Sequence, residues 1–260
     1  MPTLREALTI GDREIVAFVG AGGKTSAMFR LARELRAVGA IVVVTTTTKI
    51  LVPPASPALR VVIEAHDGDL ATAVAAVLRC GHLPVAGSAA TPDGKLEGIA
   101  PDRVADLAGL TGVTHVLVEA DGAARKPFKA PREGEPVIPA SATGVVPIVG
   151  IDALGWPLAE VSHRPERVMA LTGLGRGDRL DARAIARVLL GPGGNTTGTP
   201  PGARIVPLVN KVDDERWLEM ARELATELQR SGADRVVIAA LVGARAVIEV
   251  VGSATPPTLR

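Results

Sequence analysis

The stretch that most constrains the fold runs from Ile15 to Thr25, IVAFVGAGGKT. Its first part, Ile15-Val16-Ala17-Phe18-Val19, is a short apolar run ended by glycine, the pattern of a buried strand. Its second part, Gly20-Ala21-Gly22-Gly23-Lys24-Thr25, is glycine-rich and closes on Lys-Thr. Met28, Leu31, Leu35 and Val38 then recur every three or four residues, which predicts a helix carrying all four on one face. Backbone N–H groups can wrap a polyphosphate only where side chains do not obstruct them, and glycines at 20, 22 and 23 remove that obstruction. The free amides at the start of the new helix point at such an anion, and the helix dipole favours negative charge there. Lys24 is expected to reach the terminal phosphates and Thr25 to set its hydroxyl on Mg²⁺, in a loop that faces solvent.

The full Walker pattern, G-x-x-x-x-G-K-[ST], would start at position 18, which is Phe18. The shorter form Gly-x-x-Gly-Lys-Thr after a strand is similar to the variant loop of Mur ligases. The competing reading is a glycine turn with a solvated lysine; the flanking strand and helix favour phosphate binding.

A second chemical element follows the apolar run Val113 to Val118. It reads Glu119-Ala120-Asp121-Gly122. A strand ending in carboxylates downstream of a phosphate loop reads as Walker-B-like, with Glu119 or Asp121 holding the Mg²⁺ or polarising a nucleophile beside Lys24. Acids two apart on an extended chain point the same way, which favours a shared site over two solvated acids. Arg125, Lys126 and Lys129 come next, interleaved with prolines. They form either a clamp for phosphates or an acidic substrate, or a solvated basic loop.

The third element closes the strand expected over Arg204 to Val209. Asn210-Lys211-Val212-Asp213 resembles the guanine-reading N-K-x-D of GTPases. A carboxylate accepts the two donors of the guanine edge, while the asparagine and the lysine stem fix the base plane. Equally, Asp213 could cap the following helix, whose stripe is Trp217, Met220, Leu224 and Leu228. Leu241-Val242-Gly243, after a last strand Arg235 to Ala239, would start a loop closing over the base.

Elsewhere, Ala40 to Val44 predicts a buried parallel strand beside the first. It ends in Thr45-Thr46-Thr47-Thr48, which either orient a metal-bound water or prolong the strand. Arg60 to Ile63 predicts a strand; Leu70, Val74, Val77 and Leu78 a helix; 81–100 an irregular glycine- and proline-rich stretch; 101–109 a helix. Pro147 inside the strand Gly144 to Gly150 points to an edge or a bend. His163, ahead of a helical segment, is either structural or catalytic. Asp181 caps a helix ending at Leu190.

Composition excludes several classes. With 2% aromatics and a net charge of +1, neither a base-stacking surface nor a strong field for nucleic acid is expected. Cys80, the single cysteine, rules out an internal disulfide and reads as a buried residue on a helix. MPTLREALTIGDREI lacks an apolar signal region and no run is long enough to span a membrane, so a cytoplasmic protein is expected.

The order FVGAGGKT, VTTTTKI, VLVEADGAARKPFKAPREGEPVIP, VVGIDALGWPL, SHRPERV and PLVNKVD resembles the selenium-dependent hydroxylase accessory proteins, the YqeC family, over nearly the whole chain. Glu119 to Pro139 is the most specific part. The resemblance implies a P-loop-like fold and a cytoplasmic accessory role in maturing selenium-dependent molybdenum hydroxylases, with a hydroxylase client or cofactor-maturation proteins as partners.

The expected architecture is α/β: a doubly wound, mostly parallel sheet with helices on both faces, P-loop-NTPase-like, its site at the carboxyl ends of the strands. Residues 1–190 form the nucleotide-binding core, 191–202 a flexible loop, 203–250 a C-terminal strand-helix-strand part, and 251–260 a disordered tail. The expected ligand is GTP or ATP with Mg²⁺, held by Gly20, Ala21, Gly22, Gly23, Lys24, Thr25, Arg125, Lys126, Lys129, Asn210, Lys211 and Asp213. Thr25, Glu119 and Asp121 are the metal candidates; Glu119, Asp121 and Lys24 are the catalytic ones. The leading expectation is an NTP hydrolase. The alternatives are a Mur-ligase-like or kinase-like enzyme activating an acidic small substrate, and a non-catalytic molybdenum-cofactor carrier.

Overall fold

The computed structural model describes residues 2–54, 56–67, 69–243 and 246–252. In chain order the elements are α1 (Leu4–Ala7), β1 (Glu14–Gly20), α2 (Lys24–Ala37), β2 (Val42–Thr46), β3 (Ile50–Leu51), β4 (Leu59–Ile63), α3 (Glu64–Asp67), α4 (Leu70–Arg79), β5 (Leu83–Gly87), β6 (Lys95–Leu96), α5 (Arg103–Ala108) and β7 (His115–Glu119). There follow β8 (Phe128–Lys129), β9 (Gly144–Gly150), a 3₁₀ turn (Ile151–Ala153), α6 (Leu158–Val161), β10 (Ser162–His163), α7 (Pro165–Thr172) and α8 (Ala182–Leu190). The chain ends in β11 (Arg204–Ile205), β12 (Leu208–Asn210), α9 (Glu215–Arg230), β13 (Arg235–Ala239) and β14 (Val247–Gly252).

Among the described residues one sheet carries the order β14-β13-β12-β9-β1-β7-β2-β5-β4, with β11 also on β9. All its pairings are parallel except β13 with β14. The fold is therefore α/β, with a large, mostly parallel central sheet as expected.

Alternation along the strands divides the core. Val16 and Phe18 of β1 join Leu4, Met28, Leu31 and Leu35 from α1 and α2 on one face. Ile15, Ala17 and Val19 meet Leu70, Val74, Val104 and Leu107 from α4 and α5 on the other. That second face continues under α8 and α9, where Val209, Val236 and Ile238 pack on Ile185, Leu224 and Leu228. Strands buried on both faces read as continuous apolar runs, which is why β1, β2 and β7 are visible in the sequence.

Several expectations are corrected. β2 does not lie beside β1: β7 is inserted between them, with Leu117 opposite both Val16 and Val44. The stretch 81–100 is not wholly irregular, because Leu83–Gly87 is β5 and joins β2 to β4 in the sheet; its brevity and Pro84 conceal it. Pro147 lies in a central strand. On the side away from β1, β9 pairs with β11 at Gly144–Val145 and with β12 from Ile148. Val145 accepts from Val206 on that side and Ile148 accepts from Ala21 on the other, so alternation aims the Pro147 nitrogen into the break, where no donor is required. Pro207 splits the expected strand Arg204 to Val209 at the same break, into β11 and β12.

β14 lies beyond the strand expected to be last and takes in residues 251 and 252 of the expected tail; 253–260 lie outside the described residues. Asn195 is fully buried, and its amide donates to Val188 O at 2.8 Å. Cys80 is exposed, as the C-cap of α4, and Val38 is 63% exposed at the end of α2 rather than on its packed face.

Leu35 and Val38, three residues apart, should therefore differ sharply. Leu35→Ala should cost about 2–5 kcal/mol in urea unfolding, whereas Val38→Ala should stay within about 0.5 kcal/mol.

Candidate functional site

Because β1, β7, β9 and β12 run parallel, their carboxyl ends converge on one edge of the sheet. The order reverses around β1, whose chain successors lie to both sides, and such a switch point opens a crevice. Gly20 to Gly23 turn there into α2. Gly22 has φ +86°, and a Cβ on it would stand 2.1 Å from the Gly150 amide nitrogen. This glycine is thus required by its protein neighbours as well as by any ligand. Phe18, where a longer Walker loop would have its first glycine, is fully buried in β1.

Among the described residues no protein group accepts from the amides of Gly22, Gly23, Lys24, Thr25 or Ser26. Several unpaired donors at the head of a fourteen-residue helix are what an anion requires. Asn210 braces the loop: its Nδ2 donates to Gly22 O at 2.7 Å and its Oδ1 accepts from the Leu241 amide at 3.1 Å.

Lys24 does not face solvent; it is 4% exposed and folded inward. Its Nζ donates to Gly20 O at 2.7 Å and lies 3.0 Å from Asp121 Oδ1 and 3.7 Å from Glu119 Oε1. Asp121 Oδ2 accepts from the Gly20 amide at 2.9 Å, and Glu119 Oε2 from the Thr25 hydroxyl at 2.7 Å. The structure thus brings the loop lysine, Thr25 and both carboxylates together. Burial alone would push Lys24 down, but Asp121 and Glu119 outweigh it and hold the ammonium above its ordinary range. Burial pushes the Glu119 carboxyl up, against the opposing effects of Lys24 and Thr25.

The basic segment does not act as a unit. Lys129 is fully buried in β8, its Nζ at 3.1 Å from Asp121 Oδ2, 2.9 Å from Glu135 Oε2 and 2.7 Å from Gly122 O. It is part of the interior rather than an open clamp. Lys126 donates to Glu160 O, and Arg125 is exposed. Glu135 and Arg164, not singled out from the sequence, complete the chain of charges: Arg164 forks onto Glu135 at 2.6 and 3.1 Å. Burial would raise Glu135, but hydrogen bonds from Arg164 and Lys129 prevail and hold it at about 2. His163, paired with Lys129 across β10 and β8, is held below its ordinary value by burial and by the Arg164 and Lys129 cations.

The remaining candidates part company. Lys211 Nζ donates to Asp152 Oδ2 at 2.7 Å, Asp213 is exposed, and Asp214 rather than Asp213 caps α9 through the Trp217 amide. The hydroxyls of Thr45, Thr46 and Thr47 donate to the carbonyls of Ala86, Glu119 and Val137, so they hold strand ends together. Among the described residues no group of three or more His, Cys, Asp or Glu side chains could hold a metal. The cavity of about 230 Å³ lined by Arg5, Leu35, Thr114 and His115 lies at the opposite edge, where β7 begins.

Glu135 generates a pH prediction. Its folded value, depressed from 4.5 to about 2, adds stability that is present above 4.5 and lost as the pH falls toward 2. Glu135→Gln should be less stable at neutral pH by about 1–2 kcal/mol, the full shift being reduced by solvent screening. In denaturant titrations that gap should narrow progressively from pH 4.5 and close only near pH 2.

Residues 16–166 match the model of the family described as YqeC protein. The chain is also 30% identical over 226 residues to the Escherichia coli (strain K12) protein described as "Uncharacterized protein YqeC", an alignment covering 85% of each chain. The matched span runs from β1 through Glu119, Asp121, Lys129 and Glu135 to the start of α7, and on this evidence the chain belongs to the YqeC family.

Proposed function

We propose that the chain binds a nucleoside triphosphate, GTP or ATP, with Mg²⁺ at the carboxyl ends of β1, β7 and β12, and hydrolyses it. The observation that carries this reading is the set of unpaired amides from Gly22 to Ser26, beside a lysine held against two carboxylates. Those donors and the α2 dipole take the phosphates. Lys24 turns from Asp121 to the terminal phosphate.

The donor set suits magnesium, which commonly takes one or two protein oxygens and completes its shell with phosphate and water. Thr25 and Glu119, already paired at 2.7 Å, are the oxygens that would hold it, with Asp121 behind them. Bound there, the ion neutralises phosphate charge. Of the two carboxylates, the one that does not hold the ion would be the group to orient the attacking water and take its proton. Arg125, the exposed cation of the basic segment, supplies charge from outside. Asp213, exposed just past Asn210, is the group to read a guanine edge; Lys211 would first leave Asp152. On this reading, hydrolysis would serve the maturation of a selenium-dependent molybdenum hydroxylase, the role that the sequence resemblance implies.

Calorimetric titration of GTP, ATP and CTP, each with Mg²⁺, tests binding. One of them should bind, and Lys24→Ala should weaken it at least about tenfold. Equal affinity in wild type and variant would refute the site. Phosphate release without any added acceptor is expected; strict dependence on an acidic acceptor would favour group transfer instead.

A further inference from the structure

Asp121 has one more cation than its charge requires. It is fully buried, and its two oxygens face different ammonium groups, Lys24 at 3.0 Å and Lys129 at 3.1 Å. The two lysines are held unequally. Lys129 Nζ also meets Gly122 O and Glu135 Oε2, while its own carbonyl accepts from Asn195 Nδ2 at 3.2 Å. Lys24 Nζ donates to Gly20 O and faces Asp121 Oδ1 at 3.0 Å, but its second carboxylate, Glu119, stands at 3.7 Å, beyond hydrogen-bond distance, where the second carboxylate of Lys129 accepts at 2.9 Å. One lysine is anchored in the interior, and the other rests against the carboxylate at the head of α2.

This asymmetry matters when a phosphate arrives. A buried carboxylate stripped of its single cation is strongly unfavourable, so a lysine that alone neutralised Asp121 would resist leaving. With Lys129 in place, Asp121 stays paired after Lys24 departs, and Glu119 keeps the Thr25 hydroxyl. We propose that Lys129 is a positioning residue of the phosphate site: by keeping Asp121 neutralised, it frees Lys24 to reach a phosphate. The proposal rests on the nucleotide reading above. It assigns Lys129 a role distinct from direct phosphate contact, which its complete burial forbids.

The test is a double-mutant cycle read by calorimetry with Mg-GTP and Mg-ATP. Lys129→Met should weaken binding at least tenfold, and Lys129→Arg should recover most of that loss. In an Asp121→Asn background, where Asp121 no longer retains Lys24 and Glu119 at 3.7 Å is the carboxylate left facing it, Lys129→Met should change affinity less than twofold. Thermal melting supplies a readout free of nucleotide: K24M should shift the midpoint little, K129M should lower it, and D121N/K129M should restore most of the loss. An equal loss of affinity from K129M in both backgrounds overturns the proposal, because a merely structural lysine behaves that way. Should K129M fail to fold, K129R must bind as wild type does and D121N/K129M as D121N does; a loss in either pair overturns it. Wild type binding nucleotide while K129M binds equally well defeats this proposal alone. Wild type binding none defeats the function reading, and this proposal with it.

Discussion

The carboxylate of Asp121 is where the molecule is joined. It is wholly buried, accepts from the Gly20 amide, and stands between two ammonium groups. An ionised carboxylate without partners in such a place is untenable; breaking a buried pair by removing one partner costs roughly 3–5 kcal/mol. Satisfying Asp121 therefore brings two remote stretches together: the turn from β1 into α2, which supplies the Gly20 amide and Lys24, and the segment from Asp121 to Lys129. The charges continue outward through Glu135 to Arg164 at the head of α7, with signs alternating along the path. An irregular segment of few apolar residues is thereby fastened to the sheet by these charges as well as by the packing of Phe128 and Ala130.

The sheet supplies the geometry that this junction needs. Parallel strands present their carboxyl ends together, and the insertion of β7 between β1 and β2 sets Glu119 and Asp121 directly against the glycine turn. Asn210 at the end of β12 grips the turn from the other side through Gly22 O. The loop is thus braced on both flanks before any ligand arrives, and the amides at the head of α2 are left pointing outward. A site already held in place gives up less conformational freedom on binding.

Much of this was legible in the residues. The apolar continuity of Ile15 to Val19 and of Val113 to Val118, the three- and four-residue steps from Met28 to Leu35, and the cap at Asp181 are local signals, and the structure carries all of them. Signals failed where a local rule met a tertiary exception. Pro147 reads as an edge residue, yet its nitrogen faces a break between two short strands. Leu83 to Gly87 is too short and too rich in turn formers to announce a strand. Val38 keeps the helical step but falls on the C-cap, and Cys80 likewise.

The sequence by itself pointed to the meeting of the glycine turn, Lys24 and Thr25 with Glu119 and Asp121, and to the class of fold in which they lie. Short-range periodicity dictates strands and helices, and the order strand, glycine turn, helix leaves little choice about where a crevice opens. Only the tertiary structure decided what each charge does. Lys126, Lys129 and Lys211 look alike in the chain, yet one rests on a carbonyl, one is sealed among carboxylates, and one pairs with Asp152. The physical reason is that burial and partner distance set the energy of a charge, and both depend on which distant strands become neighbours.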